Sequence, residues 1–198
     1  MNDKLKNFIV RTLSGAVLLL VILAAMWIGI RGYLTLLLFV TVVGAWEFFS
    51  LAKAKGYDPQ RGLGVVLSIL LYCSGAFTAM YLHNSELSVP NIATDGSYVF
   101  GLFGLLLILV ALIPVVFFAE VFRNRPTPIA NVATTLAGVG YVAFPMSLMT
   151  IVPMVISSID ANSYEWQAIY FLFYLFLVWG NDVFAYLVGI SIGRHKMS

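Results

Sequence analysis

Six long apolar runs, interrupted only by short charged or turn-forming segments, constrain this chain more than any other feature. They cover approximately residues 13–30, 33–51, 63–81, 100–122, 134–156 and 166–192. A helix needs ~20 mainly apolar residues to cross the hydrocarbon layer of a bilayer. The runs lack the alternation of a half-buried strand, and an open sheet leaves backbone groups unpaired in lipid, so helices are expected. Composition agrees: 61% of the 198 residues are hydrophobic and 10% charged, against roughly 25% charged in a soluble domain. The expected fold is therefore all-α, a polytopic membrane helical bundle of about six transmembrane helices. With no internal repeat or linker visible, residues 1–198 read as a single transmembrane domain.

The first run exceeds the roughly 7–15 apolar residues of a secretory signal, so it reads as a retained helix. Arg31 and Gly32, between the first two runs, suggest a tight helical hairpin there. Positive charge then orients the bundle, because Lys and Arg accumulate in cytoplasmic loops. Lys4, Lys6 and Arg11 precede the first run, and Lys53, Lys55 and Arg61 follow the second. Arg123 and Arg125 follow the fourth, and Arg194 and Lys196 the sixth. Of the eleven basic residues only Arg31 falls on the other side, where the loops carry Glu86, Asp95, Asp160 and Glu165. Both ends of the chain are expected in the cytoplasm. Trp27, Tyr33 and Trp166 fit an interfacial aromatic belt.

Several function classes are excluded. The net charge of +2 and the lack of a basic stripe argue against nucleic acid. One cysteine, Cys73, permits no internal disulfide, and His83 and His195 are too far apart to suggest a zinc site. No phosphate loop or dinucleotide fingerprint is present. Polar groups inside the runs are the remaining candidates, since each is costly in hydrocarbon. Asp182 stands out, midway along the sixth run in Trp179-Gly180-Asn181-Asp182. Helical spacing places Asp182, Tyr186, Gly189 and Gly193 on one face. That face is either a small-residue packing surface or the wall of a polar cavity open to the cytoplasm, with Arg194-His195-Lys196 at its mouth. Glu47 reads as an interfacial side chain beside Lys53 or Lys55, and Glu120 as an interfacial ion pair with Arg123 or a solvated charge.

The segment Trp179-Gly-Asn-Asp182-Val-Phe-Ala185-Tyr186-Leu-Val-Gly189-Ile-Ser-Ile-Gly193-Arg194-His-Lys-Met-Ser198 resembles a conserved stretch of bacterial phosphatidate cytidylyltransferases (CDP-diacylglycerol synthases). Leu5-Lys6-Asn-Phe-Ile-Val-Arg11 is similar to that family's basic opening, and Ala45-Trp46-Glu47-Phe48-Phe49 to the acidic-aromatic end of an early span. The resemblance implies transfer of a cytidylyl group from CTP to phosphatidic acid, with Mg²⁺ as cofactor, in the bacterial inner membrane, by a protein that dimerises at the family level. It implies a catalytic and metal-organising role for Asp182. Substrate-binding roles would fall to Asn181, Tyr186, Gly189, Gly193, Arg194, Lys196 and Ser198. A proton- or ion-coupled transporter subunit using Asp182 is the alternative, although no inverted repeat supports it; a scaffold protein whose glycine face is purely an interface is another. In the resembled family an acid-rich signature that holds the main metal ligands lies further on, so residues 1–198 read as the N-terminal part of such an enzyme. Purified residues 1–198 are accordingly expected to be inactive, and measurable turnover by them would contradict this.

Overall fold

The computed structural model describes residues 3–84, 96–156 and 164–192, and about 85% of it is helical. Each of the six apolar runs falls mainly on helix, giving an all-α membrane bundle. In order, the elements are α1 (Asp3–Ile28), α2 (Ile30–Ala54), α3 (Arg61–Asn84), α4 (Gly96–Arg123) and α5 (Pro128–Gly138). A π-helical turn (Val139–Ala143), α6 (Phe144–Met149), strands β1 (Met154–Ile156) and β2 (Tyr164–Trp166), and α7 (Ala168–Ile192) follow. Among the described residues, four helical stretches are long and apolar enough to cross a membrane: Ile30–Ala54, Arg61–His83, Pro128–Met149 and Ala168–Gly189. Thr12–Ile28 is a shorter apolar helix.

Local chemistry explains where the elements break, and it corrects three details of the sequence reading. The first hairpin turns at Gly29 (φ 90°), a left-handed conformation natural to glycine, while Arg31 and Gly32 belong to α2. The fifth run starts at Pro128 rather than 134, because proline suits the first turn of a helix. It is then interrupted: Pro145 cannot give the Tyr141 carbonyl the N–H of a regular α-helix, and the chain widens into the π turn just before it. Nor does helix continue to residue 156. It ends at Met149, ahead of Pro153, and Met154–Ile156 pairs antiparallel with Tyr164–Trp166. Apolar runs alone do not separate a helix end from a short hairpin. Pro114 remains inside α4.

α3 is the central helix, touching α2, α4, α5, the π turn, α6 and the hairpin. One apolar cluster joins Ala45 and Phe49 of α2 to Leu67 and Leu71 of α3, Val116 of α4, Val132 of α5 and Val139 and Ala143 of the π turn. Phe49, fully buried, is the tightest point, since a β-carbon at Gly64 or Gly138 would collide with its ring. A second cluster centres on Tyr33, whose ring lies 5.0 Å from Trp166 and 4.8 Å from Phe171 and whose hydroxyl donates to the Met149 carbonyl at 2.6 Å. Tyr33 is therefore a core residue joining α2 to the end of α6 and the start of α7, not part of an aromatic belt; its burial removes it from the interface. Trp27, by contrast, is 91% exposed.

These contacts define two ends. The α2–α3 loop and the α4–α5 turn meet at one, and the Gly29 turn, the end of α3 and the β hairpin meet at the other. Lys53, Lys55, Arg61, Arg123 and Arg125 all belong to the first, hereafter the basic end. Gly138→Val should over-pack the site against Phe49 and destabilise the bundle by about 1–3 kcal/mol. Thermal denaturation in detergent checks this, and an unchanged midpoint would contradict the packing described.

Candidate functional site

Two groups of polar residues lie within the apolar bundle, and they differ in kind. The first is a buried knot at the basic end. Its scaffold is the α2–α3 loop, where Gly56 (φ 92°) closes α2: Gly56 N–H donates to the Lys53 carbonyl and Tyr57 N–H to that of Ala52. This is a Schellman closure, which the left-handed glycine permits. It delivers Asp58 and Gln60 onto α4 and α5. The Asp58 N–H donates to Asn131 Oδ1 at 3.1 Å, and the Gln60 N–H to Thr135 Oγ1 at 2.9 Å.

Glu120 is the centre of the knot, with its side chain only 3% exposed. Asn131 Nδ2 donates to its Oε1 at 2.9 Å, while Gln60 Nε2 at 2.7 Å and Arg123 at 2.8 Å donate to its Oε2. Arg123 also donates to the Asp58 carbonyl at 3.0 Å and its carboxylate at 3.1 Å, and Arg125 Nε lies 3.7 Å from the same carboxylate. The ion pair of Glu120 with Arg123 matches the sequence expectation. Its burial and its two amide partners do not: Glu120 is a fully engaged interior acid rather than a surface charge. Sequence reasoning missed Gln60 and Asn131, and no short motif could reveal them, because Gln60 is 60 positions from its partner. Beside the knot, the Arg61 guanidinium stacks 3.3 Å above the Trp46 ring. Glu47 is exposed, and the described ion pairs do not include one to Lys53 or Lys55.

The second group is the one expected from the sequence, on α7. The helix docks by its first turns, where Phe171 packs among Ile22, Tyr33, Leu37 and Tyr72. Asp182 follows eleven residues later, about 16 Å further along the axis at 1.5 Å per residue. Beyond the docked turns α7 stands largely uncovered, its described side chains from Phe173 onward being exposed or half-buried. Asn181 and Asp182 are exposed, and nothing lies within 4 Å of where a β-carbon of Gly180 or Gly189 would stand. Tyr186 shares the helix, and its side chain lies outside the described residues. Gly193, Arg194, Lys196 and Ser198 also lie outside them. Of the expected set, the structure thus brings together Asn181, Asp182 and Gly189 on one open helix. The packing alternative finds no helix against Gly189 among the described residues. Those residues contain no group of three acids, histidines or cysteines able to hold a metal, so Asp182 offers a single carboxylate.

The fold defines a polytopic helical membrane protein, and α7 carries an exposed acid among its apolar side chains. The sequence model of the cytidylyltransferase family matches residues 9–198, and the chain belongs to that family, the phosphatidate cytidylyltransferase family. Membership identifies a nucleotidyltransferase whose chemistry is CTP-dependent cytidylyl transfer. No solved structure matches the chain.

The two acids should respond oppositely to substitution. Glu120→Ala removes the acceptor that Arg123, Asn131 and Gln60 share, while Arg123 keeps Asp58, Asn131 the Pro126 carbonyl and Gln60 the Val116 carbonyl; losing hydrogen bonds to a buried charged group costs about 1.5–3 kcal/mol. A large drop in the detergent melting temperature is expected, and a wild-type midpoint would show that the knot does not hold the basic end together.

Proposed function

We propose that the protein transfers the cytidylyl group of CTP to phosphatidic acid, giving CDP-diacylglycerol and pyrophosphate in phospholipid biosynthesis. The observation that carries this reading is Asp182, a carboxylate exposed midway along an apolar helix of a cytidylyltransferase-family chain. An ionised side chain at a helix centre costs roughly 2.5–3.5 kcal/mol on insertion scales, so this one calls for a polar setting. A nucleotide that is anionic and water-soluble must meet a lipid confined to the bilayer, and a wet cavity reaching α7 lets the two phosphates approach each other.

The lipid phosphate oxygen attacks the α-phosphorus of CTP while the bond to the pyrophosphate oxygen breaks. Such transfer depends mainly on positioning and on neutralising phosphate charge. Asp182 organises the cationic groups there, Asn181 and Tyr186 supply hydrogen bonds, Gly189 and Gly193 leave room, and Arg194, Lys196 and Ser198 hold phosphate oxygens. Mg²⁺, the proposed cofactor, supplies positive charge to the phosphates when bound. Mg²⁺ sites commonly use one or two carboxylates together with phosphates and water, and Asp182 fits one of those positions. We place the basic end, with both chain ends, on the cytoplasmic side of a bacterial inner membrane, because the bases cluster there. A homodimer is the proposed assembly. Family membership favours this enzyme over a transporter subunit.

Membranes containing the gene product that carries this chain, given labelled CTP, Mg²⁺ and phosphatidic acid, should yield lipid-linked label. Asp182→Asn should lower the rate about 100-fold or more, the scale of losing an electrostatic group in an active site, without lowering the melting temperature. Near-normal activity of the folded variant would remove Asp182 from the site, and ion flux without label would favour the transporter.

A further inference from the structure

A cavity of about 340 Å³ opens between α4 and α5 at the basic end, on helices that carry none of the residues assigned above to cytidylyl transfer. Pockets for small ligands span roughly 300–1,000 Å³, so it is large enough for part of a chain-like molecule. Its walls are Phe117, Val121, Ile129 and Val132, and its polar lining includes Glu120 and Arg125. Val121 and Ile129 are 76% and 78% exposed, so the crevice opens on the outer, apolar surface of the bundle.

The charge at the rim decides what the crevice accepts. Glu120 has both oxygens engaged by Arg123, Gln60 and Asn131. Asp58 is shared, 3.1 Å from Arg123 and 3.7 Å from Arg125. Arg125 is thus the outward-facing cation, with its side chain 60% exposed. It stands in a turn where Asn124 (φ 45°) and Thr127 (φ 56°) both adopt the left-handed region, a costly conformation for a β-branched threonine. Thr127 makes no side-chain cap on α5, so the positive potential of that helix start adds to the rim.

The geometry points to a binding site for an anionic phospholipid, with an acyl chain in the α4–α5 crevice and the headgroup phosphate on the Arg125 guanidinium. A planar guanidinium binds phosphate oxygens in pairs, and the apolar, outward-facing walls favour a lipid over a soluble phosphate. The site rests on the membrane setting of the bundle and not on the reaction proposed for α7.

The test is lipid binding by the full chain in detergent after delipidation, without CTP, followed by native mass spectrometry and thermal melting. Phosphatidylglycerol should bind at least tenfold more tightly than phosphatidylcholine and raise the melting temperature. Arg125→Gln should abolish that preference, and Ile129→Trp, which fills the crevice, should weaken both lipids. Retention of the preference in Arg125→Gln would overturn the site, as would equal binding of the two lipids in wild type. Equal stabilisation by inorganic phosphate would replace the lipid with a free anion. Should Arg125→Gln fail to fold, Ile129→Trp decides alone, and undiminished lipid binding by it overturns the proposal.

Discussion

Hydrocarbon offers no partner to a charge or a backbone polar group, and each feature of this bundle answers to that constraint. Where the chain must bring an acid inside, it surrounds it. Glu120 receives donors from a loop, from its own helix and from α5, so one carboxylate fixes three segments at the basic end. Where helices are interrupted, other groups take up the loose ends. The Tyr33 hydroxyl reaches the Met149 carbonyl at the last residue of α6, and Thr150 Oγ1 donates to the Ser147 carbonyl one turn back.

Against that rule, Asp182 is the exception on which the proposed function rests. Its helix docks through Phe171 and then runs on largely uncovered, carrying a carboxylate and an adjacent Asn181 on an otherwise apolar surface. A buried acid such as Glu120, with donors on three of its roughly four acceptor positions, does not have an open face for chemistry. An exposed one does, provided that water or a partner reaches it. Burial therefore distinguishes the two, although both are single carboxylates in apolar helices.

How much of this was legible in the sequence follows from the range of the interactions. Hydrophobic runs and charge asymmetry are local or periodic, so the helices and their alternation could be read directly, and so could the position of Asp182 on its helix face. Gly29 and Pro153 act through backbone geometry that the apolar count ignores, which is why the first turn and the end of the fifth run were misplaced. Gln60 and Asn131 were invisible for another reason: both look like ordinary polar residues beside a loop, and their importance comes from meeting Glu120 in space. Tyr33 misled by composition, since a tyrosine near a span end suits an interface as well as a core. The family resemblance carried by residues 179–198 matched the assignment of the chain, whereas the roles of individual residues in that stretch rest on chemistry.

The central claim is that the face of α7 bearing Asp182 is reached by water from the basic side. Accessibility of a cysteine placed there measures this directly. Asp182→Cys, in a background where Cys73→Ala removes the native thiol, should react with a membrane-impermeant thiol reagent applied to inside-out vesicles, and CTP should slow the labelling. A thiol that stays unreactive from that side, in protein that still melts cooperatively, would contradict the account.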